Sequence, residues 1–282
     1  MIPGIDVSHW QGVIDWKEVK RSGVRFAFIK ATEFPNGRTS PFRDERFKSN
    51  VEGADQNGIY WGAYHFFRTH IDPIIQAQVF CETVGTFESL PPVLDLEEAD
   101  CRGRKLSIKI SNFLREVERL TNRKPIIYTS GGFWRPYMTY EERNTSDWAS
   151  EYSLWIAQYT NYWPSHCYPW AGWDFWQYTE KGKIPGIKTY VDMNWFNGSL
   201  RDLEEIFLPE KETSDESESG DVQIESSNTS LENEEAGVPL KKIFNLIKKD
   251  ENKEQKNQQK EDIIPVEDWI RDYFFVDGSA HN

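Results

Sequence analysis

The chain has 282 residues, of which 46 are acidic and 33 are basic, so its formal net charge is -13. Most of this charge belongs to residues 209–282, which contain 19 acidic and 9 basic residues and so have a net charge of -10. Residues 1–208 contain 27 acidic and 24 basic residues, for a net charge of -3. Without a basic excess or a basic stripe, the chain is not expected to bind nucleic acid, and no apolar run is long enough to predict a transmembrane segment.

The first half of the chain alternates predicted strands and helices. Apolar runs of strand length are separated by amphipathic segments, with a repeat of about thirty residues. The predicted strands span residues 4–8, 26–33, 62–67, 91–98 and 125–130. The helices predicted between them span residues 14–21, 44–57, 73–84 and 107–121. This alternation is typical of a parallel α/β sheet or barrel.

The spacing changes after residue 130. Three more strands are predicted at residues 154–159, 174–178 and 190–194, and the connections between them are too short for a crossover helix. A final helix is predicted at residues 200–207. We therefore predict an irregular TIM-like α/β barrel over residues 1–208, in which five β/α units are followed by three strands without helices between them.

Two carboxylates follow the fourth predicted strand. Alternation along the strand places Asp95 and Glu97 on one face, roughly 6.5 Å apart, so each charge raises the cost of ionising the other. Glycosidic bonds are cleaved by a protonated acid, which protonates the leaving oxygen, beside an ionised carboxylate, which stabilises the oxocarbenium-like centre. Two solvated carboxylates at a strand end are the structural alternative.

Polar residues recur at the ends of the other predicted strands. In β/α barrels these ends form the active-site face. The polar positions there are Asp6, Lys30 with Glu33, His65, Asp95 with Glu97, Tyr128, Gln158, Gln177 and Asp192. Four of the carboxylates, those of Asp6, Asp95, Glu97 and Asp192, come from three strands and would meet at one mouth, which favours a hydrolase because buried charge is costly in a purely structural barrel.

Six sequence blocks in this order resemble glycoside hydrolase family 25, the Chalaropsis-type lysozymes. The blocks lie at residues 6–12 (DVSHWQG), 62–66 (GAYHF), 93–97 (VLDLE), 154–159 (LWIAQY), 176–178 (WQY) and 191–194 (VDMN). The resemblance implies a (β/α)5β3 barrel that hydrolyses the β-1,4 bond between N-acetylmuramic acid and N-acetylglucosamine in peptidoglycan. It implies no metal and no cofactor.

The same resemblance implies roles for single residues. Glu97 corresponds to the general acid, Asp95 stands beside it, and Asp6 and Asp192 correspond to the other two carboxylates. Reaction with net retention is implied, with Asp95 either attacking directly or orienting the acetamido group of the substrate. The implied sugar contacts are Tyr64, His65, Tyr128, Trp155, Gln158, Trp176 and Gln177.

Other functions remain open at this point. A chitinase-like hydrolase also uses an Asp-x-Glu strand end, and a metal-dependent deacetylase could be built on Asp6, His9 and His65. A catalytically weak glycan-binding module of a virus particle is a further alternative. Four retained carboxylates argue against such a module, because a binder gains nothing from a like-charge pair.

The C-terminal part has a different composition. Residues 209–236 are acidic and poor in apolar residues, which predicts a disordered linker. Residues 237–282 contain two short amphipathic helix candidates, which we expect to dock on a protein partner such as a virus particle component, on a membrane surface, or back on the barrel. No signal peptide is visible, so we expect release by lysis or through a pore, or transport on a particle such as a bacteriophage, before action on the cell wall.

Overall fold

The structure is a computed structural model that describes residues 1–138 and 146–209. Within these ranges the strands are β1 Ile2–Val7, β2 Phe26–Glu33, β3 Phe42–Arg43, β4 Tyr60–Phe66, β5 Val93–Asp95, β6 Ile126–Ser130, β7 Ser153–Ala157, β8 Phe175–Gly182 and β9 Val191–Phe196. The helices are α1 Trp16–Arg21, α2 Phe47–Gln56, α3 Pro73–Val84, α4 Gly103–Thr121, α5 Gly131–Met138 and α6 Leu200–Phe207.

Eight of the strands close into a barrel. They follow the order β1-β9-β8-β7-β6-β5-β4-β2, and a parallel pairing of β1 with β2 closes the ring. The two-residue β3 extends the end of β2. Five β/α units are followed by three strands and a last helix, which confirms the predicted architecture.

One strand runs against the others. β9 is antiparallel to both β1 and β8, whereas the remaining barrel pairs are parallel. The beginning of β9 therefore lies at the same end of the barrel as the C-terminal ends of the parallel strands. Asp192, the second residue of β9, consequently pairs with Asp6 near the end of β1.

Aromatic side chains fill the barrel interior. Phe28 stacks on Trp155 with ring centroids 4.3 Å apart and meets Phe175 edge-on at 5.1 Å. The packing leaves no room for a side chain at Gly4, where a Cβ atom would lie 2.3 Å from the ring of Phe26. A second apolar layer joins the outer face of the barrel to the helices, as the buried stripe of α4 illustrates.

Among the differences from the predictions, two concern β5 and α5. The fourth predicted strand corresponds to β5, which ends at Asp95 rather than at residue 98, so Glu97 lies in the loop that follows β5. α5 was not predicted, because it begins with two glycines and contains Pro136, which cannot donate a helical backbone hydrogen bond. Packing of its buried Phe133, Trp134 and Met138 offsets these weak local preferences.

Some predictions concern other parts of the chain. The predicted linker beyond Pro209 and the predicted helices of residues 237–282 lie outside the described residues. Among the helices that are described, none has the length and apolar character needed to cross a membrane.

Candidate active site

A cleft of about 310 Å³ opens at the C-terminal ends of the parallel barrel strands. Every one of the four predicted catalytic carboxylates lines it, together with a fifth from Glu180. The predicted sugar contacts that line it are Tyr64, Tyr128, Trp155 and Gln177. The barrel thus brings together acids and rings that are far apart in the chain.

Asp95 and Glu97 form the first carboxyl pair. Asp95 ends β5 and is buried, and its Oδ1 atom has no hydrogen-bond partner among the described residues. Burial raises the pKa of Asp95 well above its ordinary value, and the negative charge of Glu97 adds to the rise. An acid in this position holds its proton far more readily than an aspartate in water.

Glu97 lies closer to solvent. Partial burial in the cleft desolvates the carboxyl group of Glu97 and raises its pKa, and the negative charge of Glu98 raises it further. Because the side chain is also exposed at the mouth, water screens part of this effect, and we expect a smaller rise than for the buried Asp95. The pair can therefore carry one proton at a pH where two free carboxylates would carry none.

Asp6 and Asp192 form the second pair. Oδ2 of Asp6 accepts hydrogen bonds from the amides of Asn194 at 2.8 Å and Gln177 at 3.0 Å. Burial raises the pKa of Asp6 to about 6, and burial together with the charge of Asp6 raises the pKa of Asp192 to about 8. Asp192 is therefore the member of this pair that holds a proton near neutral pH.

Polar hydrogen bonds fix the groups around Asp6. The hydroxyls of Tyr128 and Tyr159 both donate to Oε1 of Gln177, each at 2.9 Å. Nε1 of Trp155 donates to Oδ1 of Asn194 at 2.8 Å. The amide oxygens of Gln177 and Asn194 thus accept hydrogen bonds from aromatic side chains, while their N–H groups donate to Asp6. These bonds fix the orientation of both amides on the floor of the cleft.

A chain of ion pairs lies beside Glu97. Lys30 lines the cleft and pairs with Glu33, whose other oxygen is 3.7 Å from Arg68. Arg68 pairs in turn with Glu98 and lies 4.2 Å above the ring centre of Phe66. Lys30 and Glu33 were expected together at one strand end, and the ion pairs connect them to Glu98, the residue next to Glu97.

This arrangement predicts opposite effects of two neutral substitutions. Glu98→Gln removes an anion beside Glu97 and one of the two carboxylate partners of Arg68, so the pKa of Glu97 should fall and the alkaline limb of the activity profile should move to lower pH. Arg68→Gln should move that limb to higher pH. The maximal rate of Glu98→Gln should stay within about fivefold of wild type, because an exposed ion pair contributes about 0–1 kcal/mol.

Profiles of kcat against pH measure both effects. The other charged or titratable groups that act on Glu97 are Lys30, Asp95 and Asp192. They are present in both variants, so their effects on the pKa of Glu97 cancel when the two profiles are compared. If the alkaline limbs of the two variants moved in the same direction, the charges of Glu98 and Arg68 would not control the proton on Glu97.

Three predicted sugar contacts do not line the cleft. His65 is completely buried on the opposite face of β4, where its Nδ1 is 2.7 Å from the Thr32 hydroxyl and its Nε2 is 3.0 Å from Oε1 of Gln76. Burial lowers the pKa of His65 to about 4, so it stays neutral. Gln158 hydrogen-bonds Ser165 in the following loop, and Trp176 faces outward and donates to the backbone oxygen of Gln158 at 2.8 Å.

The residues considered for a metal-dependent deacetylase are not assembled either. Both ring nitrogens of His65 are engaged by protein groups, and Nδ1 of His9 is 2.8 Å from Asp44. His9 lies instead with Asp44 and Glu45, whose possible ligand atoms are within 4.8 Å of one another. Asp6 is separate from this group and bonds the two amides on the cleft floor.

The cleft also contains residues that sequence analysis missed. Trp10, Gln11 and Tyr159 lie inside the quoted family blocks, so their positions were available but were not assigned a role. Phe66 alternates with Tyr64 along β4 and could have been found from that spacing. Glu180 could not, since it follows a register shift in β8 that begins after Gln177.

Comparisons of the sequence and of the fold match this barrel to known proteins. The sequence profile described as "Glycosyl hydrolases family 25" matches residues 5–187, a range that includes Asp6, Asp95 and Glu97 and ends before Asp192. The chain is 36% identical over 219 residues to YegX from Escherichia coli (strain K12), covering 75% of each protein.

Lysozyme M1 from Streptomyces globisporus is likewise 36% identical over 217 residues, covering 72% of this chain and 70% of that protein. Among solved structures, the bacterial lysozyme from Streptomyces coelicolor superposes with a TM-score of 0.64 at 34% identity. That match covers 72% of this chain and 94% of the other.

Proposed function

The chain belongs to family 25 of the glycosyl hydrolases, and from this premise we propose that Glu97 and Asp95 carry out its hydrolytic chemistry. The protein is a lysozyme-type glycoside hydrolase, which cleaves the β-1,4 bond between N-acetylmuramic acid and N-acetylglucosamine in peptidoglycan. The roles of the single residues rest on their geometry. The observation that carries them is the presence of two like-charged carboxyl pairs in one cleft.

Glu97 is the general acid in this proposal. It is the member of its pair that reaches the mouth, where a glycosidic oxygen can approach, and its raised pKa makes it hold a proton more readily than a glutamate in water. As the bond between the anomeric carbon and this oxygen breaks, Glu97 gives its proton to the leaving sugar. The resulting carboxylate then takes a proton from the incoming water, so the enzyme is restored.

Asp95 stabilises the other side of the reaction. It lies deeper in the cleft, where one of its carboxyl oxygens has no hydrogen-bond partner within residues 1–138 and 146–209, and so can face the positive charge that develops at the anomeric centre. It can do so by direct attack or by holding the acetamido group of the substrate as the nucleophile. Both routes need the proton of the pair to reside on Glu97 when the bond breaks.

Asp6 and Asp192 bind rather than transfer protons in this proposal. The protonated Asp192 can donate a hydrogen bond to a sugar oxygen, and Asp6 can accept one, because the pKa values of about 8 and about 6 separate their protonation states. The rings of Tyr64, Tyr128 and Trp155 supply the apolar surfaces on which sugar rings pack.

Digestion of purified peptidoglycan tests the proposed bond specificity. The released ends are reduced with borohydride and hydrolysed, and we expect the reduced sugar to be muramicitol. Glucosaminitol as the main product would contradict the assignment and support a chitinase-like specificity. Parallel digestion of chitin, which contains no muramic acid, serves as the control and should release no ends.

The cell wall is the proposed place of action, because peptidoglycan lies outside the cytoplasm. Release by lysis, through a pore or on a particle such as a bacteriophage remains a prediction from sequence. The same holds for a protein partner that binds residues 237–282.

A further inference from the structure

Large aromatic side chains stand exposed on the loop that follows β7. Tyr159, Tyr162 and Trp163, which we call the aromatic shelf, expose 53%, 81% and 64% of their surfaces. Single exposed aromatics are common, but a group of three on one short loop is typical of an interaction site. Nothing in the chemistry of bond cleavage requires the last two.

The loop that carries the shelf is closed by hydrogen bonds. The amide of Gln158 accepts from the backbone N–H of Ser165 at 2.9 Å and donates to its hydroxyl at 3.4 Å. These bonds join the two ends of the segment and hold its intervening residues in a compact turn. The shelf is thus presented on a constrained loop, which lowers the entropic cost of binding a ligand.

Trp163 has further support from behind. Its ring centroid lies 5.9 Å from that of Trp173 and 6.2 Å from that of Trp176, which is buried on the outside of the barrel. One side of Trp163 therefore packs against the protein while most of its surface faces solvent. This is the arrangement of a stacking platform rather than of a core residue.

The shelf is continuous with the active-site cleft. Tyr159 lines the cleft and donates to Gln177 at its floor. Tyr162 and Trp163 follow by three and four residues, so their Cα atoms lie within roughly 11 and 14 Å of the Cα atom of Tyr159. A sugar chain that leaves the cleft past Tyr159 can reach both rings.

We propose that the aromatic shelf binds sugar units of the same glycan strand beyond those held in the cleft. The inference rests on the proposed function and extends it, because it makes the enzyme prefer long strands over short fragments. Carboxyl groups such as those of Asp6 and Asp192 can hydrogen-bond the sugars inside the cleft, whereas the shelf offers exposed aromatic rings, so stacking must supply much of the binding there.

Kinetics on two substrates test the shelf. Trp163→Ala should raise KM about tenfold for long glycan strands and leave kcat within about twofold, because a lost stacking contact of this kind costs about that factor in binding. On the shortest oligosaccharide that the wild type cleaves, KM should stay within about twofold. Trp163→Phe, which keeps an aromatic ring, should recover most of the loss.

Two further variants keep the test decisive. Tyr162→Ala removes the most exposed ring of the shelf and replaces Trp163→Ala in the test if that variant folds poorly. Leu120→Ala, which removes an exposed apolar side chain on α4, is the matched control. If Trp163→Ala left the KM for long strands unchanged, or raised the KM equally for both substrates, the proposal that the aromatic shelf binds glycan would be wrong. A wild type that released no muramic acid ends would instead remove the proposed function, and the shelf with it.

Discussion

Glu97→Gln is expected to lower the rate of peptidoglycan hydrolysis at least about 100-fold, the usual contribution of general acid catalysis. Glutamine has nearly the same shape as glutamate but cannot give a proton to the leaving oxygen. Because Glu97 is exposed at the mouth of the cleft and lies in a loop, the substitution should leave the fold intact. The release of reducing ends per unit time measures the loss, with thermal melting to verify folding.

The neighbouring acid provides a matched control. Glu98→Gln makes the same chemical change one residue away, at a carboxylate that does not line the cleft. Its maximal rate should remain close to that of wild type. Equal losses in the two variants would indicate that the loop is sensitive to any change of charge and that Glu97 has no special role.

Asp95→Asn is expected to reduce kcat about 100- to 1000-fold, the range found when one preorganised group that stabilises transition-state charge is removed. The substitution replaces a buried carboxyl group, which carries the negative charge only when the proton of the pair resides on Glu97, by a neutral amide of the same size. Either role of Asp95, attack or orientation of the acetamido group, is lost in this variant. Single-turnover rates on soluble glycan strands measure the effect without contributions from product release.

The same substitution should stabilise the folded protein. The pKa of Asp95 is raised well above its ordinary 3.8, so the folded state keeps the proton while the unfolded state releases it. Wild type therefore loses stability as pH rises above about 4, and the asparagine variant does not. At pH 8 we therefore expect the asparagine variant to melt at a higher temperature than wild type.

Melting temperatures at pH 4 and pH 8 check this linkage. The gain should be small at pH 4, which is close to the pKa of the unfolded aspartate, and larger at pH 8, where the unfolded state has released this proton. Asp55→Asn, at an exposed position of α2, is the control and should show no comparable difference. A loss of stability in Asp95→Asn at pH 8 would mean that the carboxylate is favourably bound and that its pKa is not raised.

Local sequence patterns were sufficient to predict the barrel and its acids. Alternating β and α segments indicate parallel strands, and the parallel arrangement places their C-terminal ends at one mouth. Asp95 and Glu97 were expected on the same face because of the strand period, and both do line the cleft, although the strand itself ends at Asp95. The unusual direction of β9 did not displace Asp192, because its position at the beginning of an antiparallel strand brings it to the same mouth.

Other features depend on contacts between distant segments. His65 sits next to cleft residues in the sequence, but strand alternation turns it into the core, where Thr32 and Gln76 satisfy both ring nitrogens. The ion pairs between Glu33, Arg68 and Glu98 join three separate strand ends, so no local pattern indicates them. The register shift in β8 that brings Glu180 to the cleft is equally a property of the assembled sheet.

The most direct test of Glu97 as the general acid compares two substrates that differ only in their leaving group. One is a soluble glycan fragment, and in the other the sugars beyond the scissile bond are replaced by a phenol, β-linked to the same N-acetylmuramic acid end, that leaves without protonation. Glu97→Gln should lose at least about 100-fold on the glycan yet remain within about fivefold of wild type in the cleavage step on the aryl glycoside. An equal loss on both substrates would contradict the account, because it would show that Glu97 acts on something other than the leaving oxygen.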